Sequence, residues 1–305
     1  MNRHSLLLIL GAGASRPYGF PTGKDLVEKV QATLLEKAFA DISLQLGIYD
    51  SQFADFRTDL QMSGSASIDA FLENNPKYVN VGKLVIAFFL LKYESHEYLY
   101  DKDIKDNWYQ YVVDMMRRNF PLASIESNRL SFITYNYDRS LEFYLFNALR
   151  KSDQSITDEQ CVNKMQHFPI VHLHGSLGSP KYLDGQGGKP YQPDTKVKQL
   201  LASSGDIHII SEQVEKYPEF RNAYQLIAMA DHIVFLGFGY NPTNVLRLRL
   251  DSVSKKDATF WGSSLGFTES EKMHLIMNQP AFVRGINLQT VNSLDFLRNH
   301  VDLLV

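Results

Sequence analysis

The sequence predicts an α/β fold with a doubly wound, mainly parallel sheet. Short apolar runs recur along the chain, as expected of strands that are buried on both faces. They span residues 6–10, 130–134, 170–173, 207–210, 233–236, 258–261 and 286–291. Helical patterns separate several of these runs, at residues 139–149, 212–229, 241–253 and 268–277. Strands that alternate with helices form βαβ units, so we expect the strands to pair in parallel.

The residues that flank several of these elements support their assignment as strands or helices. Residues 6–10 are all apolar and end at Gly11, as expected of a central strand. The second run, residues 130–134, leads into polar residues that can cap the next helix. The helix predicted at residues 268–277 begins with Thr268 and Glu271, which have the spacing of a capping box.

Two intervals depart from this alternation. Residues 24–128 are mostly helical in periodicity, and we interpret them as a helical module inserted into a domain formed by residues 1–23 and 129–305. The module is expected to cover one end of the sheet, or else to border the site or carry a partner surface. Residues 178–198 contain several glycines and prolines without a period, which predicts a long loop of the kind that can form a lid.

The composition predicts a globular protein from a reducing compartment. The 305 residues are 44% apolar and 21% charged, with a formal net charge of −3. The single cysteine, Cys161, excludes an intramolecular disulfide framework and a four-thiolate zinc site. The slightly negative charge argues against binding driven by nucleic-acid phosphates, and we expect no base-specific nucleic-acid binding.

No apolar run approaches the ~18 residues that a membrane span needs, so no membrane association is expected. The longest run, residues 84–91, is typical of a buried helix. Arg3 and the apolar residues 6–10 imitate the start of a secretory signal, but this apolar core is too short for one. We therefore expect a cytoplasmic location.

A Gly-Ala-Gly-Ala-Ser turn, residues 11–15, follows the first strand directly. At such a turn, backbone N–H groups can hold a pyrophosphate, and glycines let the backbone approach it. The dinucleotide fingerprint asks for a third glycine where this chain has Arg16, and the Walker pattern fails because Lys24 is followed by Asp25. A tight turn without a ligand is the alternative interpretation.

Two further strand ends carry polar side chains. The second strand is followed by Asn136 and Asp138, and the third leads to His174 just before a glycine. Ligands of doubly wound sheets bind at the carboxyl ends of the strands, so the three ends together predict a site. His172 and His174 are expected on one strand face, which raises the alternative of a metal pair, but the chain offers no other obvious ligands and we expect no metal.

Together these motifs resemble the NAD-binding motifs of the sirtuin superfamily. They lie at residues 11–15, 19–21, 134–138, 174–175 and 235–239. The Gly-Phe-Pro-Thr-Gly sequence at residues 19–23 more narrowly resembles the prokaryotic sirtuin-like domains of anti-phage defence systems. The resemblance implies a Rossmann-like sheet with NAD bound at its strand ends.

The resemblance also implies a role for each matching residue. Asn136 and His174 match the family's catalytic asparagine and histidine, and Asp138 matches the carboxylate near the nicotinamide. The other residues implied in NAD binding belong to the pyrophosphate turn, to the segment that follows it and to the late loop toward the adenosine: Gly11, Ala12, Gly13, Ser15, Phe20, Pro21, Gly237 and Phe238.

Departures from the deacylase pattern favour NAD hydrolysis. One cysteine cannot supply the two Cys-x-x-Cys pairs of the deacylase zinc module, so no zinc is expected. Residues 22–24 replace the Asp-Phe-Arg sequence of deacylases, and residues 209–212 lack the Phe-Gly-Glu sequence that flanks their acyl-lysine tunnel. Gly239 replaces a serine of the late motif. With water as the nucleophile, the products would be nicotinamide and ADP-ribose, and cyclisation stays open.

The resemblance thus implies a cytoplasmic NAD glycohydrolase that acts as an anti-phage effector by depleting NAD. Such short proteins often work with a separately encoded Argonaute-like protein or HerA-type helicase. We expect a homo-oligomer, because an enzyme that is lethal when active needs an off state. The alternatives are a non-catalytic subunit that senses NAD or ADP-ribose, and a protein-lysine deacylase.

A serine hydrolase is a further alternative. Residues 262–266 fit the nucleophile-elbow pattern just after a predicted strand, with Ser264 as the nucleophile. Its partners would be Asp295 and His300 near the end of the chain. Both lie on one predicted helix, and Ser264 is expected in a loop instead of a sharp elbow.

Overall fold

A computed structural model shows a six-stranded, all-parallel sheet with helices around it. It describes residues 4–32, 45, 50–119, 127–153, 155–184, 188–209, 217–279, 282 and 285–300. The strands are β1 (Leu6–Leu10), β2 (Leu130–Thr134), β3 (Ile170–His172), β4 (His232–Leu236), β5 (Thr259–Ser263) and β6 (Asn287–Gln289). Their order in the sheet is β3-β2-β1-β4-β5-β6, which confirms the doubly wound α/β fold.

The described helices connect these strands and fill the interval between β1 and β2. Before β2 they are α1 (Ala12–Ser15), α2 (Gly23–Ala32), α3 (Asp50–Ser63), α4 (Ile68–Asn74), α5 (Val79–Leu91), α6 (His96–Leu99) and α7 (Trp108–Asn119). After β2 they are α8 (Ser140–Ser152), α9 (Asp158–Met165), α10 (Lys181–Asp184), α11 (Val197–Gly205), α12 (Pro218–Met229), α13 (Pro242–Arg247), α14 (Leu250–Val253), α15 (Glu269–Asn278) and α16 (Ser293–His300). None of the helices in the described part of the chain has the length and apolarity needed to cross a membrane.

The two faces of the sheet pack against different apolar cores. Successive side chains of a strand point to opposite faces. Leu6, Leu8 and Leu10 of β1 therefore join one core, whereas Leu7 and Ile9 join the other. The first core also contains buried side chains from the described helices of residues 24–128, so these helices share one core with the sheet. The division of the chain into two domains stays a prediction.

Most predicted elements are confirmed, with shifts of a few residues at their ends. The strand predicted at residues 207–210 is wrong: Ile207 forms only an isolated bridge to Gly175, and residue 210 lies outside the described residues. The apolar run there reflects burial of Ile207 and Ile209 in the core, not strand pairing. The predicted helix at 241–253 is two short helices, α13 and α14, separated by Arg249 with a φ of 51°.

Some predictions fall partly outside the described residues. Of the helix predicted at 212–229, residues 212–216 are not described and the remainder contains α12. The predicted loop at 178–198 is not wholly irregular, because it contains α10 and the start of α11, and its residues 185–187 are not described. In the helical interval, residues 33–44, 46–49 and 120–126 are likewise not described.

Candidate functional site

Two glycine turns meet where the strand order of the sheet reverses. β1 lies between β2 and β4 in the sheet. The sheet continues to β3 beyond β2 and to β5 and β6 beyond β4, and this reversal of strand order opens a crevice at the carboxyl ends of the strands. The turn after β1 contacts the turn after β4 there. The Gly11 amide donates to the Leu236 carbonyl (3.1 Å), and the Gly13 amide donates to the Gly237 carbonyl (2.9 Å).

The close approach of the two turns explains their glycines. A Cβ at Gly13 would lie 2.8 Å from the Gly237 oxygen, and a Cβ at Gly237 would lie 2.1 Å from the Ala14 nitrogen. Gly237 also has a φ of +56°, in the left-handed region that favours glycine. These glycines are therefore required by backbone packing itself, and a ligand role depends on the space in front of the turns.

A cleft of about 1010 Å³ opens in front of the two turns. This volume is at the upper end of the range of small-molecule sites, roughly 300–1,000 Å³. Four of the residues predicted to bind NAD line it: Ala12, Gly13, Gly237 and Phe238. The lining also includes the cations Arg16, Lys24 and Lys105 and the carboxylates Asp101, Asp103 and Asp106. The cleft therefore offers cations for an anionic group of a ligand and hydrogen-bond acceptors for its hydroxyl groups.

The Asn136 side chain stabilises the first glycine turn through hydrogen bonds. Its Nδ2 donates to the Gly11 carbonyl (3.0 Å) and to the Ser15 hydroxyl (2.9 Å), and its backbone amide donates to Thr134 Oγ1 (3.0 Å). Two of the three strand ends predicted to form the site are therefore joined directly. Asn136 is not among the described residues that line the cleft.

Ser15 and Asp138 belong to a buried polar network behind the same turn. One Asp138 carboxylate oxygen accepts from the Ser140 amide (3.2 Å) and from the Ser140 hydroxyl, so Asp138 caps the start of α8, as the sequence allows. Tyr109 from α7 contacts the same Ser140 hydroxyl (2.7 Å). Burial raises the pKa of Asp138, against hydrogen bonds from Ser140 and Ser15 that lower it. The Ser15 hydroxyl thus faces this network.

Three other residues predicted to bind NAD are not among the described residues that line the cleft. Phe20 is buried, with its ring 6.2 Å from that of Tyr93, and Pro21 beside it is half-buried. Gly11 lies at the contact between the turns. Their roles in NAD binding stay predictions.

His174 is enclosed on the other face of the sheet. Its side chain is 3% exposed, and neither ring nitrogen has a hydrogen-bond partner among the residues that the structure describes. The ring lies 5.3 Å from that of Tyr135 and 6.2 Å from that of Phe220, both of which pack in the second core. Burial lowers the pKa of His174 to about 3, with smaller contributions from Arg247 and His208. His174 is therefore a neutral imidazole at physiological pH.

The expectation that His172 and His174 share a face is wrong. His172 faces the first core side, where its Nδ1 contacts the Asn136 carbonyl (2.8 Å) and its Nε2 contacts Glu142. The alternation assumed a strand that continues, but β3 ends at His172, and Gly175 turns the chain with a φ of 72°. Within the described ranges, no group of three or more His, Cys, Asp or Glu side chains could hold a metal ion.

The neutral state of His174 makes a pH-dependent contribution to stability. The unfolded chain gains a proton at this side chain below its ordinary pKa of 6.5, whereas the folded chain gains it only near a pKa of about 3, so this stability is lost as the pH falls between those values. Between about pH 5.5 and pH 4, we expect wild type to lose about 1.4 kcal/mol more per pH unit than His174→Phe. Urea unfolding at several pH values measures this difference, and equal pH slopes would contradict it.

The serine-hydrolase alternative has no matching geometry. The Ser264 hydroxyl is buried and has no hydrogen-bond partner among the described residues. Asp295 instead accepts from Asn292, and the His300 ring packs 4.9 Å from that of Phe296. The three side chains therefore form no hydrogen-bonded triad within the described part of the chain.

The helical interval supports the glycine turn in a way that the sequence did not reveal. Trp108 of α7 is fully buried, and its Nε1 donates to the Ala14 carbonyl (2.8 Å). The Tyr18 hydroxyl accepts from the Tyr109 amide (2.7 Å), and the two tyrosine rings stack. These contacts join distant parts of the sequence and leave no local signal.

Comparison with known proteins relates part of the chain to a family. Residues 130–278 match the family model of the SIR2-like domain, and the comparison with curated proteins found no match. The matched segment contains Asn136, His174 and the Gly237 turn, and the turn at residues 11–15 packs directly on it. Domains of this family bind NAD and are generally NAD-dependent enzymes. The resemblance to sirtuin-like domains is thus confirmed over residues 130–278.

Proposed function

We propose that the chain is an NAD glycohydrolase that cleaves NAD to nicotinamide and ADP-ribose. The observation that carries the proposal is the cleft of about 1010 Å³ in front of two glycine turns, in a fold whose SIR2-like segment supplies one of those turns. Arg16 and Lys24 supply positive charge near the turn predicted to hold the pyrophosphate. Gly237 and Phe238 line the side assigned to the adenosine half.

Orientation is the main task of the site in this reaction. The bond between nicotinamide and ribose breaks through an oxocarbenium-like state, and the leaving group is already cationic. Binding of the pyrophosphate, remote from the reacting carbon, fixes the ribose for attack by water. Asn136 suits the reacting end because both of its amide hydrogens are held by Gly11 and Ser15. Its Oδ1 has no hydrogen-bond partner in the described part of the chain, so it can accept from water or a ribose hydroxyl.

His174 is assigned as the proton acceptor. While it is enclosed, its pKa of about 3 makes it too weak a base to take a proton near neutral pH, so this role requires exposure that restores its ordinary pKa of 6.5. To act, it needs the cover formed by Tyr135 to move, and the Tyr135 hydroxyl donates to the Asn244 carbonyl of α13 (2.6 Å). Tyr240 and Arg249, on either side of α13, have left-handed φ values of 50° and 51°. Such strain in non-glycine residues is typical of segments with a functional role.

A second candidate function is a non-catalytic subunit that senses NAD or ADP-ribose. It is favoured by one observation: neither Asn136 nor His174 is among the described residues that line the cleft. Incubation of the purified chain with NAD separates the two functions. Release of nicotinamide and ADP-ribose, followed by chromatography, supports the hydrolase, whereas NAD binding without release supports sensing.

We also propose that the hydrolase is a cytoplasmic anti-phage effector that depletes NAD. The support is the resemblance of residues 19–23 to the sirtuin-like domains of defence systems. In this proposal the chain forms a homo-oligomer and works with a separately encoded HerA-type helicase or Argonaute-like protein. A monomer that is fully active alone would contradict the oligomer, and unchanged NAD levels in phage-infected cells that express the chain with its partner would contradict the effector role.

Gly239 offers a direct test of NAD binding in the cleft. It lines the cleft, and a Cβ at this position would meet no heavy atom within 4 Å. We expect Gly239→Leu to weaken NAD binding by roughly tenfold or more, because the side chain would fill the cleft without disturbing the fold. Gly205→Leu is the matched control, since Gly205 at the end of α11 is equally open. Calorimetric titration that gives equal NAD affinities for the two variants would contradict this assignment.

A further inference from the structure

His172 and Glu142 form a buried pair that touches the residue assigned to the reacting end of NAD. His172 Nδ1 lies 2.8 Å from the backbone carbonyl of Asn136, and its Nε2 contacts Glu142 Oε1. The side chains of His172 and Glu142 are 13% and 10% exposed, so water screens their interaction little. Neither residue lies in the cleft lining that the structure describes, and neither has a role in the proposed reaction so far.

The partners of the ring fix the number of protons in this pair. A backbone carbonyl only accepts, so Nδ1 of His172 carries a hydrogen. A neutral ring would then turn a lone pair at Nε2 toward Glu142, and two lone pairs cannot form the contact that is present. The pair therefore holds one more proton than a neutral imidazole beside a carboxylate.

The surrounding charges favour placing this proton on the histidine. Burial lowers the pKa of His172, but Glu142, the Asn136 carbonyl and Asp138 raise it by more. Around Glu142 lie the charged or titratable side chains of Glu94, Tyr109, Asp138, Arg139 and Tyr182. Arg139 is itself paired with Glu94, so His172 is the partner cation of Glu142.

We propose that His172 is a positioning residue for Asn136. As an imidazolium paired with Glu142, it donates from Nδ1 to the backbone carbonyl of Asn136. This hydrogen bond fixes the backbone of Asn136, whose side-chain amide contacts the glycine turn. His172 holds the backbone carbonyl of Asn136, and Gly11 and Ser15 hold its side-chain amide. Both ends of Asn136 are thereby fixed before substrate binds. Its part in catalysis rests on the proposed function.

The protonation of His172 can be measured without turnover. We expect ¹⁵N NMR of the histidine rings of the full chain to show both His172 nitrogens protonated at about pH 8, well above the ordinary pKa of 6.5. His172→Gln assigns the signals. In Glu142→Gln, which keeps the shape but not the charge, the extra proton should be lost at the same pH. A singly protonated ring in wild type, or a doubly protonated ring in Glu142→Gln, would overturn the proposed pair.

Kinetics test the positioning role. We expect His172→Phe to lower kcat for nicotinamide release roughly 10- to 100-fold with KM for NAD nearly unchanged, because the cleft is intact while Asn136 loses one support. His172→Gln retains a donor and should recover most of the rate. The exposed His167 provides the control variant His167→Phe, with wild-type kinetics expected.

The outcomes separate this inference from the proposed function. Absence of nicotinamide release by wild type contradicts the hydrolase, while the NMR result still decides the protonation of the pair. An active wild type with an equally fast His172→Phe variant contradicts the positioning role. Equal losses in His172→Phe and His172→Gln contradict it as well, since they would indicate a packing role for the ring.

Discussion

Glu94→Ala is expected to lower the free energy of unfolding by about 3–5 kcal/mol, because it leaves a buried guanidinium without its counter-charge. Arg139 and Glu94 are 1% and 0% exposed. The Arg139 Nε donates to Glu94 Oε1 (2.8 Å), and its Nη2 contacts the second carboxylate oxygen. This bidentate geometry is the arrangement in which a buried ion pair offsets its desolvation.

Arg139 also holds a neighbouring segment, so the loss of its ion pair should destabilise that segment as well. Its Nη1 donates to the Lys189 carbonyl (3.1 Å) and its Nη2 to the Pro190 carbonyl (3.2 Å), so the guanidinium ties this segment to the start of α8. The matched control is Asp114→Ala, which removes an exposed ion pair with Arg117 (3.5 Å) and should cost at most about 1 kcal/mol. Urea unfolding compares the variants, and a loss in Glu94→Ala no larger than in Asp114→Ala would contradict the account of this pair.

Asn136→Ala is expected to reduce the rate of nicotinamide release by on the order of 10²–10⁴-fold. The amide is the only side chain assigned to the reacting end that also contacts the glycine turn within the described residues. Because residues other than Asn136 are assigned to the pyrophosphate and the adenosine, KM for NAD should change little. Loss of two hydrogen bonds should lower the free energy of unfolding by only about 1–3 kcal/mol, so the variant stays folded.

Asn147→Ala is the matched control for this prediction. Asn147 is also partly buried, and its Nδ2 donates to the Phe143 carbonyl (2.9 Å) within α8. Its loss should leave the rate unchanged at a similar cost in stability. Chromatography of the reaction products measures both variants. An Asn136→Ala enzyme with more than about a tenth of the wild-type rate would show that the amide does not act at the reacting carbon.

The sheet could be predicted because its strands are short, apolar and separated by helices. Residues 6–10 and 130–134 are central strands buried on both faces, so burial alone marks them. The same signal misled at Ile207 and Ile209, which are buried beside the sheet without pairing in it. Apolar runs report burial, and the pairing of a segment depends on contacts that its own sequence does not encode.

The candidate site could be predicted only where it depends on strand ends. The meeting of Asn136 with the Gly11 turn follows from parallel neighbouring strands. The orientation of His174 could not be predicted, because the alternation of side chains stops where β3 ends at His172. The contacts of Glu94 with Arg139 and of Trp108 with Ala14 could not be predicted either, since each joins residues that are far apart in the sequence.

The central claim is that NAD lies in the cleft with its nicotinamide ribose toward Asn136. An experimental structure of the Asn136→Ala variant with NAD tests it most directly, because slow turnover would preserve the substrate. We expect the pyrophosphate against residues 11–16, the adenosine beside Gly237 and Phe238, and the C1′ carbon of the nicotinamide ribose facing position 136. NAD bound in the reverse orientation, or bound away from the two glycine turns, would contradict it.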